Sequence, residues 1–376
     1  MYISSLHIKK HQILEDLKIT FEIPKDSKNI VNIIAGVNGS GKTTLLKWIL
    51  SGLNNGADNG ILIRDVNIEM PTGALNSSLW HSNVYGFREK SKKENIFKNG
   101  IHSSPRVIFI PSNMTFEYRA ESKLDTSYKY SNTIDTRSLL GNAEFFIKDY
   151  IISKERLSDK SDSRERTKDA IDSFNSIFEE SELITKLVNL DIHDSNKPIF
   201  ETLNGDTITI DKLSSGEQQL YARVVSLMIL NPHNSVILID EPEIALHPKW
   251  QIEIMKIYAN IGKNNQFIVA THSPFIIAQT PYRNLIFLLK ENENIVAKQF
   301  TEAPLDRDLN TIVKTIMGAD YMPKELSTLH DKYRAYMENS EEESLEAKEL
   351  KDKILEYESP NSSFFQSIAF EKELMR

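Results

Sequence analysis

The chain of 376 residues contains no cysteine, which excludes a disulfide framework, a thiolate zinc site and a cysteine nucleophile. Long apolar runs are also missing: none approaches the roughly 18 residues of a membrane span. Residues 1 to 18 alternate apolar and charged side chains, unlike the apolar stretch of a secretory signal. These absences predict a cytoplasmic protein with no membrane association. Positive charge is not in excess either, since the net charge is −8 and the pI about 5.7. Bulk charge therefore does not advertise nucleic-acid binding, although a local basic face would leave nucleic acid open as a partner. From Thr301 onward, 17 Asp/Glu stand against 10 Lys/Arg, so the acidity is concentrated in that tail. No internal repeat occurs at a fixed period. The length and a hydrophobic content of 40% suit one large domain with insertions, or two smaller ones.

The apolar strand pattern Asn29 to Ala35 runs directly into Gly36-Val37-Asn38-Gly39-Ser40-Gly41-Lys42-Thr43, a full match to G-x-x-x-x-G-K-[ST], and Thr44 to Leu50 continues as a helix. Strand, glycine loop and helix are the context that gives this motif its meaning. Glycines let backbone N–H groups turn in around phosphate oxygens, and the helix N-terminus adds partial positive charge. The residues expected to bind a nucleotide are Asn38, Gly39, Ser40, Gly41, Lys42, Thr43 and Thr44. Lys42 would reach the outer phosphates, and the Thr43 hydroxyl would join a Mg²⁺ shell. Further on, Leu213-Ser214-Ser215-Gly216-Glu217 opens a helix that should stop at Asn231-Pro232. Val236 to Ile239 follows as a strand buried on both faces, ending in Asp240-Glu241. Carboxylates at the carboxyl end of a buried strand lie where open α/β sheets place their ligand chemistry. Gln266 to Ala270 is another such strand, ending in Thr271-His272-Ser273-Pro274.

The remaining pattern predicts entry strands at 2–8 and 18–23, a short hairpin around Ile61 to Met70, and a buried strand Val107 to Pro111. Residues 137–190 read as mainly helical, interrupted by a mobile loop from Ser158 to Thr167, and a hairpin is expected around Asn204-Gly205. Pro248 opens a helix carrying Trp250, strands are expected at Asn284 to Leu289 and Ile295 to Phe300, and the chain turns helical from Leu309.

The order of phosphate loop, LSSGE turn, strand ending in Asp240-Glu241 and strand ending in His272 resembles the ABC-type ATPases of the soluble branch, with RecF, Rad50 and SMC heads. DEPEIALHP followed by ATHSP is similar, more specifically, to the bacterial AAA-family ATPases of anti-phage defence. The resemblance covers roughly residues 1 to 300. It implies an α/β fold, a P-loop NTPase of the ABC-ATPase type with a mixed sheet, spanning 1–300 with an insertion at about 52–194 between Walker A and signature. A helical C-terminal region would fill 301–376. By position it implies that Asp240 holds Mg²⁺ through water, that Glu241 orients or deprotonates the attacking water, and that His272 contacts the γ-phosphate. It further implies that Ser214 and Gly216 meet the ATP of a second copy, so that a homodimer or higher even-numbered assembly closes around two ATP molecules. Beyond His272 no glutamate-glycine turn followed by Asp-x-Asp is present, as a TOPRIM nuclease would need. A separate effector nuclease in trans is therefore the implied partner.

Several residues keep two readings. Ser214-x-x-Glu217 is both a signature loop and an ordinary capping box. The family usually has a glutamine loop before the signature, yet no Gln occurs from residue 13 to 217; Asn113, after the Ile108 to Pro111 strand, could stand in, and slow hydrolysis or a water ligand replacing the side chain would be consistent with the gap. His11 is placed to contact adenine or to be a surface histidine. His247-Pro248 is a cross-dimer contact or a turn. Phe364, Phe365 and Phe370 are helix packing or a partner face. A RecF-like or Rad50-like DNA-repair ATPase is the alternative function. A transporter's nucleotide-binding half fits the lost glutamine and helical tail less well, and in a scaffold ATP would only stabilise assembly.

Overall fold

The computed structural model describes residues 2–11, 13–53, 66–70, 73–75, 107–112, 133–135, 143–181, 185–191, 193–194, 196–244, 246–291, 294–302, 309–316, 318, 322–339, 341 and 343–374. It divides into two compact units, Met1–Leu309 and Asn310–Arg376.

In the first unit the chain runs β1 (Tyr2–His11), β2 (Leu14–Thr20), β3 (Ile30–Ala35), α1 (Lys42–Leu53), β4 (Val66–Met70), β5 (Gly73–Leu75), β6 (Val107–Ile110) and β7 (Thr133–Asp135). It continues through α2 (Ala143–Leu157), α3 (Ser163–Asn175), β8 (Lys186–Asp191), β9 (Lys197–Glu201), β10 (Thr207–Thr209), α4 (Ser215–Leu230) and β11 (Val236–Asp240). Then follow α5 (Pro248–Ala259), β12 (Gln266–Thr271), α6 (Pro274–Gln279), β13 (Leu285–Glu291) and β14 (Asn294–Lys298).

One 11-stranded sheet has the order β5-β4-β1-β2-β14-β13-β3-β12-β11-β6-β7. Strands β13 through β7 in that order are parallel, whereas the pairs β1–β2, β1–β4, β4–β5 and β13–β14 are antiparallel. The parallel strands read as unbroken apolar runs because both faces are covered. Ile34, Val236, Leu238, Ile268 and Ala270 share a core with Leu45, Leu46 and Ile49 of α1. The alternate residues Ile33, Ile237, Ile239, Phe267 and Val269 are equally buried, as the period of 2 requires for the opposite face. Each such aliphatic side chain stabilises the fold by about 1.5–3 kcal/mol. A separate sheet, β10-β9-β8, is antiparallel and turns at Gly205, whose positive φ suits a glycine.

Helix α4 is buried along most of its length. Its Tyr221 meets Phe174, Phe178 and Phe200 with ring centroids 6.2, 5.0 and 4.9 Å away. It ends at Asn231 in the left-handed region, whose N–H bonds Leu227 O and Met228 O, so the stop uses an αL cap as well as Pro232.

The second unit contains α7 (Lys324–Glu338), α8 (Leu345–Leu355) and α9 (Ser363–Leu374) around a core of Leu326, Tyr333, Ala347, Ile354, Phe364 and Ile368. Phe364 packs inward and Phe365 against that core, while Phe370 is exposed.

Three sequence expectations need correction. The second strand spans 14–20 instead of 18–23, because the hairpin register pairs His11 with Leu14 and draws the start of β2 towards the turn. The Ser158 to Thr167 loop is shorter: Asp162 accepts from Arg164 N, and a Lys160–Asp169 ion pair of 2.8 Å helps α3 begin at Ser163. Residues 186–191 form β8 and not helix, its edge capped at Leu187 by both amide groups of Asn175. Asn113 and the start of the Ile61 to Met70 hairpin lie outside the described residues, as does the side chain of His11.

Candidate active site

The carboxyl ends of β3, β12 and β11 lie side by side. Register pairs Ala35 with Thr271 and Ala270 with Asp240. Three short sequences that are far apart in the chain therefore leave the sheet at one level: the glycine loop after Ala35, His272 after Thr271, and Asp240-Glu241.

In the glycine loop, Gly39 and Gly41 hold φ of 81° and 83°, a region that costs side-chain-bearing residues about 1–2 kcal/mol each. A Cβ on Gly36 would stand 2.5 Å from Ser40 Oγ and 2.7 Å from Leu288 O. Lys42 is buried and donates to Gly36 O at 2.7 Å and Val37 O at 3.1 Å. Burial draws its ammonium below its usual value, opposed by Glu241, Glu243 and Asp240. Thr43 Oγ1 lies 3.0 Å from each Asp240 oxygen. Burial pushes the Asp240 carboxyl up, and hydrogen bonds from Thr43 and from Ser112 counter it. Ser40 Oγ is buried in the loop and has no hydrogen-bond partner among the described residues.

Glu241 adopts φ +48°, a conformation that costs a non-glycine residue about 1–3 kcal/mol and is tied down by its N–H to Ala270 O at 2.8 Å. Nδ1 of His272 lies 3.2 Å from Glu241 Oε1 and 3.4 Å from Glu243 Oε1, aligned with neither as a hydrogen bond. Lys42, Thr43, Asp240, Glu241 and His272 are thus brought together, with Asn38 and Gly39 exposed above and Thr44 half-buried on α1.

Ser214 and Gly216 stand apart. Ser214 caps α4, accepting from Glu217 N at 3.3 Å, while Glu217 Oε2 accepts from Ser214 N at 3.2 Å and from its hydroxyl at 2.7 Å. The other oxygen of Glu217 accepts from Thr185 at 2.8 Å. Among the described hydrogen bonds none joins this turn to the phosphate loop. Ser214 is exposed and Gly216 buried. His247 caps α5, its Nδ1 accepting from Lys249 N at 3.3 Å, which realises the turn reading of that residue.

Four neighbours escaped the sequence reading. Ser112 follows β6, next to the expected Asn113. Glu243 is the second acid of DEPE and the one with a detectable signal, its spacing from Asp240. Arg223, fully buried on α4, donates to Pro242 O at 2.7 Å. Ile13, at the β1–β2 turn, places Cδ1 3.1 Å from where a Cβ on Gly41 would stand.

A glycine loop between strand and helix, with a hydroxyl on that helix and an acid pair and a histidine at the ends of neighbouring parallel strands, resembles the site of an ABC-like AAA ATPase. Residues 99–278 match the family described as "AAA domain, putative AbiEii toxin, Type IV TA system". The chain resembles the Septu protein PtuA of Bacillus mycoides (strain KBAB4), 25% identical over 98% of this chain and 53% of that protein. It also resembles the Septu protein PtuA of Bacillus thuringiensis, 24% identical over 88% of this chain and 89% of that one. The Retron Vc95 probable ATPase of Vibrio cholerae serotype O1 biovar El Tor is 30% identical over 39% of this chain and 32% of that one. The chain spans about half the length of the Bacillus mycoides protein. Among the described residues, no helix is long and apolar enough to cross a membrane.

Proposed function

We propose that the chain binds ATP with Mg²⁺, hydrolyses it slowly and closes as a homodimer around two nucleotides, serving as the regulatory ATPase of a bacterial anti-phage defence system whose effector nuclease is a separate protein. The observation that carries this reading is the meeting of Lys42, Thr43, Asp240, Glu241 and His272 at the ends of β3, β11 and β12. Phosphoryl transfer needs placed charge and an oriented nucleophile more than covalent help, and each of these side chains supplies one or the other.

The donor set suits the nucleotide. Ser40 Oγ, buried and unpartnered among the described residues, is a hydroxyl able to donate to a phosphate oxygen. Lys42 would exchange two carbonyl acceptors for phosphate oxygens, keeping its hydrogen bonds while neutralising charge. Thr43 and Asp240, both hard oxygen donors, would hold Mg²⁺, the aspartate through water. When bound, the ion neutralises charge that develops on the phosphate oxygens. Glu241, partly exposed and held in a strained backbone, accepts the proton of the attacking water as that oxygen bonds phosphorus and the bond to ADP breaks. His272 contacts the γ-phosphate. Ser214 and Gly216, joined to their own phosphate loop by no described hydrogen bond, face the nucleotide of the second copy.

The test is sizing of Glu241→Gln with ATP and Mg²⁺, beside Lys42→Ala. The first is expected to persist as an ATP-dependent assembly without turnover and the second to remain in its nucleotide-free state. An oligomeric state indifferent to ATP in the Glu241 variant sinks the dimer mechanism. Equal turnover of wild type and Lys42→Ala sinks the ATPase.

A further inference from the structure

Glu243 is buried, 5% exposed, and among the described residues the hydrogen bonds of its carboxylate all come from the end of β12 and the residue after it. Its Oε1 accepts from the Thr271 hydroxyl at 2.7 Å and from the His272 backbone N–H at 2.9 Å, and the same oxygen lies 3.4 Å from His272 Nδ1. Thr271 Oγ1 in turn accepts from Ser273 N at 2.9 Å. One carboxylate thus holds residues 271 to 273 to the loop that follows β11. That loop is pinned elsewhere as well, with Leu246 N donating to Glu243 O at 3.0 Å and Arg223 to Pro242 O at 2.7 Å.

The ring of His272 is 38% exposed, yet its Nδ1 is buried. Its exposed part is therefore the edge away from the carboxylates. Glu241, also near Nδ1, is 23% exposed and is anchored to β12 through its backbone N–H, with no hydrogen bond to its carboxylate among the described residues, so its side chain is the acid free to serve the water while the Glu243 carboxylate stays fixed.

We propose that Glu243 is the positioning residue for His272: it sets the backbone and the Nδ1 side of the ring, and so aims the opposite nitrogen at the ligand. Nδ1 lies near two carboxylates without an aligned hydrogen bond to either; in this proposal it carries the hydrogen that a small turn of the ring would direct to them, which would leave Nε2 for the nucleotide or its attacking water. The second-acid position of DEPE thereby has a function separate from the Asp240-Glu241 pair. The inference rests on the reading of His272 given under the proposed function.

Glu243→Gln is isosteric. Its amide oxygen can still accept from Thr271 and His272 N–H, but its amide nitrogen brings a donor where only acceptors stood. The test is a cycle of steady-state ATPase measurements on the full chain: wild type, Glu243→Gln, His272→Ala and the double variant. Displacing a positioned group is expected to lower kcat by about tenfold to hundredfold, with KM for ATP within about twofold because no described hydrogen bond of Glu243 reaches the phosphate loop and its charge is only one of three acting on Lys42. In the His272→Ala background the same change is expected to alter kcat less than about twofold, since the residue it acts through is gone. Equal losses in the two backgrounds overturn the inference, as does a Glu243→Gln enzyme with wild-type kcat. A His272→Ala enzyme at the wild-type rate overturns instead the reading of His272 itself. Should Glu243→Gln melt well below wild type, Glu243→Asp, which keeps the carboxylate and shortens its reach, is taken through the same cycle with the same criteria. A ¹⁵N spectrum of the His272 ring adds a signature that a purely structural contact would not move: a hydrogen on Nδ1 in wild type, and a changed tautomer balance in Glu243→Gln. An unchanged balance also counts against the inference.

Discussion

Ser214 can be asked directly whether it is more than a helix cap, because glycine and alanine separate the two functions. As an N-cap the serine closes a reciprocal box with Glu217. Replacing such a cap by alanine costs about 0.5–2 kcal/mol, and by glycine only a few tenths. The surrounding bonds keep the cost near those values. In either variant Glu217 Oε2 retains the residue 214 N–H, at 3.2 Å in the present geometry, and Oε1 retains Thr185 at 2.8 Å. No buried carboxylate oxygen is therefore left without a donor, a loss that would add about 1–3 kcal/mol. Ser214→Gly should sit within a few tenths of wild type in urea unfolding, and Ser214→Ala about 1 kcal/mol below it. If the hydroxyl turns from Glu217 Oε2, to which it donates at 2.7 Å, and donates instead to the phosphate of a partner's ATP, both variants lose a charge-assisted hydrogen bond of about 1.5–3 kcal/mol, or roughly 10- to 100-fold in turnover. The assay pairs urea unfolding of the nucleotide-free protein with kcat at saturating ATP and sizing in the Glu241→Gln background. The cross-dimer reading is refuted if turnover tracks stability, with the glycine variant near wild type and alanine alone impaired.

Asp240→Asn is expected to raise the melting temperature of nucleotide- and metal-free protein at neutral pH, because burial lifts the Asp240 carboxyl above its ordinary 3.8. The folded chain then binds that proton at higher pH than the unfolded chain, so this group's contribution to stability falls as pH rises from 3.8 through the folded-state value. The asparagine variant should lack that slope, and a lower neutral-pH melting temperature refutes the argument. Gly41→Ala should cost about 1–2 kcal/mol from φ alone. Adding Ile13→Ala relieves the 3.1 Å approach but not the backbone, so calorimetry that finds the double variant fully restored contradicts the strain argument. Arg223→Met strips the donor from Pro242 O and should cost about 1–3 kcal/mol in chemical denaturation, together with a fall in kcat; stability loss with unchanged kcat breaks the link between that carbonyl and Glu241.

What could be read from the residues alone followed from how local the signal was. The phosphate loop needs only consecutive residues, and strands β3, β11 and β12 announce themselves as apolar runs because both faces are covered. The cap of α4 was equally legible, since Ser214 and Glu217 are three residues apart. Strand β8 was hidden by its single-sided burial, with only Leu187 and Leu190 buried along it, a spacing that imitates a helix. The start of α3 was obscured because Ser158 to Thr167 is polar throughout. Its helicity comes from the Asp162 cap and from Arg166 donating to Lys160 O and Ser161 O, neither of which shows as hydrophobic period. Ser112 could not be found from spacing, since only the pairing of β6 with β11 brings it to Asp240.

Arg223 illustrates a different limit, and it joins the two ends of the proposed chemistry. A charged residue in an apolar helix pattern reads as an exposed position, yet this one is 1% exposed and spends its guanidinium on Pro242 O and Gln219 Oε1. Such burial is expensive unless the hydrogen bonds are kept. The carbonyl it holds belongs to the residue directly after Glu241, and the helix it stands on begins at the Ser214 turn. Nine residues of helix separate the two points, about 13 Å at 1.5 Å per residue, with the helix wall packed by Tyr221 against three phenylalanines. A closely packed helix transmits displacement better than it absorbs it. In the proposed dimer, then, a partner's nucleotide that pulled on Ser214 would also move the carbonyl that flanks Glu241, and occupancy of one site would be felt at the acid of the other.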